Sequence, residues 1–147
     1  MNERLDRSRR FLPAVVLCAV AATIGATSAG KDDKPSISVK SSVSMGFAPF
    51  HTVLTADIRG GADDYEPFYC AKVEWDMGDG TMAEQELDCD PYEAGKSQIR
   101  RRFVREQVFN SPGEFRVMFR LKQKGKVVGA GSTTVRVSPG IQDQGIY

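Results

Sequence analysis

Between residues 36 and 138, apolar side chains recur at every second position, in runs short enough to be separate strands. Residues 50–58 place Phe50, Thr52, Leu54, Ala56 and Ile58 on one face and His51, Val53, Thr55 and Asp57 on the other. Residues 68–77 place Ala71, Val73, Trp75 and Met77 on a common face, with Cys70, Lys72, Glu74 and Asp76 opposite. Residues 115–123 set Phe115, Val117, Phe119 and Leu121 against Arg116, Met118, Arg120 and Lys122. Further strands are predicted over 37–40, 99–109 and 127–138, the second of them irregular. Residues 44–49 read as a bend. Glycine, aspartate and proline gather at 59–67 and 110–114, and Lys-Gly-Lys marks a hairpin tip at 124–126. Residues 81–98 form a long polar connection with room for a short edge strand. No sustained helical period interrupts this pattern. About seven short strands with regular turns predict an all-β antiparallel sandwich over residues 36–138.

The chain outside that span changes the picture of location. Residues 1–10 carry Arg4, Arg7, Arg9 and Arg10 against Glu3 and Asp6, an apolar run fills 11–26, and small residues close the segment at 27–30. A basic start, apolar middle and small-residue exit predict a secretory signal peptide over 1–29, cut after Ala29, with Ala26 the second choice. The alternative is a retained membrane anchor. The run falls a little short of the ~20 apolar residues a spanning helix needs, and Pro13 stands near its start. Residues 30–35 then form a flexible leader, and 139–147 a loose tail. Processing would turn 20 basic and 19 acidic residues into 16 and 17, a net charge near −1 instead of +1. That balance gives no basic footprint for nucleic acid or an anionic membrane. It would also remove Cys18 and leave Cys70 and Cys89, an even pair expected to form a disulfide in an oxidising compartment.

The stretch VEWDMGDGT, residues 73–81, is the densest in candidate chemistry. Read from the backbone outward, it is structural. Trp75 lies on the core face. Gly78 frees a sharp exit from the strand. Asp79-Gly80 predicts a tight turn in which both residues take positive φ, with the Asp79 carboxylate accepting from turn amides.

Residues 75–81, WDMGDGT, resemble the WDFGDG signature of PKD domains, the polycystic kidney disease repeat. Two more segments match in order. Ala48-Pro49-Phe50 through Leu54-Thr55-Ala56 is similar to the family's strand that opens with Ala-Pro. Phe109 through Val117, with Pro112-Gly113 at its centre, resembles the family's tyrosine–turn–Pro-Gly segment, with phenylalanine for both tyrosines. The resemblance spans most of residues 37–137 and implies an immunoglobulin-like β-sandwich. It also implies contact with another exported protein or a surface carbohydrate, without catalysis. Met77 departs from the family's phenylalanine and Gln107 from its frequent histidine. The connection after Met82 is longer than usual, and the cysteine pair is not part of the pattern.

Site candidates follow from loops and charge. The connection 82–98 is long for a compact domain, and such loops often carry binding residues on a rigid scaffold. Tyr92 and Glu93 on it, with Tyr65 and Tyr69 near the other end of the preceding strand, are the candidate contact residues; a structural cover for the sheet is the alternative. Asp63, Asp64, Glu66, Asp76, Asp79, Asp88 and Asp90 supply hard oxygens, so a calcium-dependent module is the second functional reading, with Asp63, Asp64 and Asp79 the candidate ligands. A small hydrolase using Asp76 and Asp79 as paired carboxylates is the third. His51, the only histidine, has no partner for a transition-metal site, and no cofactor is expected. Arg100, Arg101, Arg102 and Arg105 are expected on an exposed face, pairing with loop acids or guarding a sheet edge.

Overall fold

The structure, a computed structural model, describes residues 34–140. The expected signal peptide, most of the leader and most of the tail lie outside the described residues. Eight strands follow one another: β1 Ser36–Ser41, β2 Met45–Phe47, β3 Phe50–Arg59, β4 Lys72–Asp76, β5 Met82–Gln85, β6 Arg102–Phe109, β7 Gly113–Gln123 and β8 Lys126–Ser138. They form a three-stranded sheet, β1-β3-β6, and a five-stranded sheet, β2-β8-β7-β4-β5. All pairings are antiparallel except β2 with β8. The inner faces of two such sheets, packed over one core with the first strand divided between them, make an immunoglobulin-like β-sandwich.

The period-two pattern explains the core. Leu54, Ala56 and Ile58 of β3 and Phe103 and Phe109 of β6 are buried from one side. Val73 and Trp75 of β4, then Met77, with Val117, Phe119 and Leu121 of β7 and Val135 and Val137 of β8, are buried from the other. Trp75 is 4% exposed, and its ring meets that of Phe119 edge-on, centroids 4.8 Å apart. Phe109 and Phe115, the phenylalanines on either side of Pro112-Gly113, stack with centroids 4.7 Å apart. At the β1 side of the sandwich the two layers nearly touch. A Cβ on Gly131 would stand 3.0 Å from the carbonyl oxygen of Ile37, a tight contact that glycine relieves where β1 passes β8.

Several elements differ from expectation, each for a local reason. The strand expected from residue 68 begins only at Lys72. Pro67 sits inside a 3-10 turn, Glu66–Phe68, which drives Phe68 into the core, and Cys70 takes φ 51°, which no strand tolerates. The expected bend at 44–49 contains the short β2, ended by a cis Ala48–Pro49 bond. The strand expected from residue 99 starts at Arg102. In the 78–80 turn, Gly78 and Gly80 take φ 75° and 90°, while Asp79 does not share the positive φ expected of it. The glycines carry the reversal, and Asp79 holds it with its side chain.

Candidate functional site

The end of the sandwich where β3, β4 and β6 meet loops 60–71 and 86–101 holds most of the candidate residues. Cys70 and Cys89 form the expected disulfide, with Cα atoms 6.0 Å apart. The link brings the long loop back over the start of β4. Two tyrosines fasten it further. The Tyr69 hydroxyl donates to the Asp90 carbonyl at 2.9 Å, and the Tyr92 hydroxyl donates to the Asp64 carbonyl at 2.8 Å. Their rings lie 5.5 Å apart. Loss of water around the Tyr92 hydroxyl, with Asp64 and Glu66 nearby, pushes its pKa up. The Gly95 N–H donates to the Asp64 carboxylate at 2.8 Å, and Lys96 pairs with Glu93 at 2.6 Å. Tyr65 packs edge-on against Phe68 at 5.1 Å. The structure thus brings together Tyr65, Tyr69, Tyr92, Glu93, Cys70 and Cys89. Tyr69 and Tyr92 hold the two loops in one shape, and Tyr65 packs within its own.

Arg101 organises the neighbouring loop. Its guanidinium donates to the Asp63 carboxylate at 2.6 and 2.9 Å, to the Gly60 carbonyl at 2.9 Å, and to the Ile58 and Gly61 carbonyls at 3.4 Å each. A planar cation with five donors matches a carboxylate and several carbonyls at once. The oxygens in this loop therefore converge on a protein cation. The sequence reading placed Arg101 on an exposed face among its neighbours and missed this role, because the contact joins residues far apart in the chain.

The calcium candidates are not gathered. Asp63 faces Arg101 and Asp64 faces Gly95, while Asp79 lies at the opposite end of the sandwich. There its Oδ1 accepts from the Thr81 N–H at 2.8 Å and the Thr81 hydroxyl at 2.5 Å, and Gln107 donates to its Oδ2 at 3.3 Å. Asp76 accepts from the Gly78 N–H at 3.1 Å. The two carboxylates of the signature turn are each committed to it, as are Gly78 and Gly80 through their backbone angles. Among the described residues, no group of three His, Cys, Asp or Glu side chains stands close enough to hold a metal ion. His51 is exposed on β3.

One charged cluster was not foreseen. Glu74, expected outward with Lys72 and Asp76, is only 2% exposed. It pairs with Arg120 at 2.7 Å and with Lys122, both on β7. Hydrogen bonds from Lys122 and then Arg120 hold its carboxyl below the ordinary glutamate range. Arg120 also approaches Asp76 at 3.6 Å, and Lys72 reaches Glu84 at 2.6 Å. The long basic stems cover the carboxylate from solvent. Alternation predicted the correct face but could not show that neighbouring side chains would bury it. Across the other sheet, Arg102 pairs with Asp57 at 2.8 Å and holds that carboxyl low.

Comparison with known proteins adds likenesses of fold. No family model matches the chain, and no curated protein matches it. Among solved structures, it is similar to the PKD domain of an M14-like peptidase from Thermoplasmatales archaeon SCGC AB-540-F20, with 12% identity and a TM-score of 0.49, covering 72% of this chain and 96% of that one. It is also similar to a CARDB domain from Pyrococcus furiosus, with 12% identity and a TM-score of 0.47, covering 74% of this chain and 97% of that one.

Proposed function

We propose that the protein is an exported, non-catalytic binding module that presents its disulfide-locked end to another exported protein. The observation that carries this reading is the amount of bonding devoted to a solvent-facing loop. One disulfide, two tyrosine–carbonyl bonds and the Asp64–Gly95 bond fix residues 86–98 against residues 60–71. Ordering a surface before a partner arrives lowers the entropy lost on binding. The fixed end is acidic. Glu66, Asp88 and Asp90 are exposed and have no basic partner among the described residues, which favours a partner with a basic patch. Tyr69 and Tyr92 are turned toward each other, and sugar platforms need open aromatic faces, so a protein partner fits better than a carbohydrate.

The test is affinity capture from an envelope extract, with the wild-type chain compared against a Glu66→Lys, Asp88→Lys, Asp90→Lys variant whose circular dichroism is unchanged. The expected result is a defined protein retained by the wild type and lost by the variant. Equal capture by both removes the acidic end as the contact surface.

A further inference from the structure

We infer that the free edge of β6 is a self-pairing surface, on which a second copy of this chain adds its own β6 antiparallel. In its sheet β6 is terminal, and among the described residues no strand lies beyond it. The opposite edge, β1, is closed against β8 by the near contact at Gly131. The direction of the backbone groups on β6 follows from one bond. The Ile58 N–H donates to the Arg101 carbonyl at 2.8 Å, which sets the phase of the ladder with β3. Hydrogen bonding alternates along an antiparallel pair. Residues 103, 105, 107 and 109 therefore turn their backbone toward β3, and Arg102, Val104 and Glu106 turn theirs away from the sheet. All three are exposed, and Val104 is 58% exposed although it is apolar.

The side chains select the occupant and its register. Outward backbone groups must meet outward backbone groups, so the two-fold axis passes through a residue of β6 and not between two. Centred on Val104, the pairing sets Val104 against Val104 of the second copy, and Arg102 against Glu106 twice. Both charges lie on the outer face of the sheet and attract across the join. Centring on Arg102 or Arg105 opposes two arginines, and centring on Glu106 opposes two glutamates. Centring on Phe103 sets Arg102 against Val104. On the outer face, only the Val104 register matches opposite charges and apolar groups together; on the inner face it sets Arg105 opposite Phe103. The spacing Arg-Phe-Val-Arg-Glu is thus self-complementary about its middle residue, which is what an isologous two-fold interface requires. Arg100 now donates through Nε to the Arg102 carbonyl at 3.1 Å, covering one acceptor of this edge; the second copy replaces that bond with a backbone N–H.

The experiment is sedimentation velocity on the full chain across a concentration series. Val104→Pro removes the central outward N–H and breaks no bond to β3. Glu106→Arg puts arginine opposite arginine, and the double variant Arg102→Glu, Glu106→Arg restores opposite charges in reverse, made in an Asp57→Asn background because Asp57 pairs with Arg102 within the sheet. The expected result is a concentration-dependent dimer, weakened on the order of tenfold or more by either single change and recovered by the double variant. Circular dichroism confirms that each variant keeps its strands. A monomer at every concentration overturns the inference. So does a dimer untouched by Val104→Pro and Glu106→Arg, which would assign association to another surface.

Discussion

Replacing Glu74 with glutamine tests how much of the stability rests on one charge. Glutamine keeps the shape of the side chain and removes its charge. Arg120 and Lys122, with side chains 22% and 28% exposed, are then left beside a neutral amide. Breaking a buried ion pair by deleting one partner costs about 3–5 kcal/mol. Here both cations keep some water and Arg120 keeps Asp76 at 3.6 Å, so the loss falls to about 2–3 kcal/mol, near that of one or two charged hydrogen bonds. For a domain of this size that corresponds to a melting temperature lowered by roughly 10 °C or more. The pH dependence has a definite sign. The folded carboxyl titrates below its ordinary value of 4.5, so its contribution is complete above that value and is lost as pH falls through the lower, folded-state value. Urea unfolding of wild type and Glu74→Gln at pH 7 and again below pH 4 measures both effects. The gap between the two proteins should be wide at pH 7 and should close in acid. A difference under about 0.5 kcal/mol at pH 7, the level of an exposed ion pair, would refute the reasoning. So would a gap that stays constant with pH.

Other substitutions probe the loop end and the signature turn. Cys70→Ser with Cys89→Ser opens a link with a sequence separation of 19 residues and should cost about 3 kcal/mol in urea unfolding. Arg101→Met should speed proteolytic cleavage within residues 59–66. Arg101→Lys should not restore protection, because a single ammonium cannot span Asp63 and three carbonyls. Gly78→Ala and Gly80→Ala both force alanine to positive φ, a strain of about 1–2 kcal/mol. Only the first also drives a Cβ to 2.6 Å from the Arg116 carbonyl oxygen, so its loss measured by thermal unfolding should be clearly the larger.

The inner faces of β3, β4 and β7 were readable because burying one face of a sheet imposes a repeat of two. Leu54, Val73, Trp75 and Phe119 all sit where alternation places them. The disulfide was readable from cysteine number and the export pattern. The β2–β8 pairing was hidden, since three residues around a bend carry too little pattern. The start of β4 was misplaced because Phe68 and Tyr69 look like strand residues, while Pro67 and the positive φ of Cys70 dictate a turn. At the candidate site, the tyrosines and the long loop could be named from composition. Their duties could not, since Tyr92 reaches Asp64 across 28 residues and Arg101 reaches Asp63 across 38. Alternation assigns a face; it does not say which charged neighbours will shield one another there, and Glu74 is the case in point.

The guanidinium inside the 58–63 loop also sets the conditions under which that end keeps its form. A positive charge tethered to the polypeptide is present at unit stoichiometry from the moment of folding. It needs no supply from the surroundings, and a chelator cannot extract it. Such wiring ties the contour of residues 58–63 to a side chain of the same polypeptide, so the fastening travels with the fold.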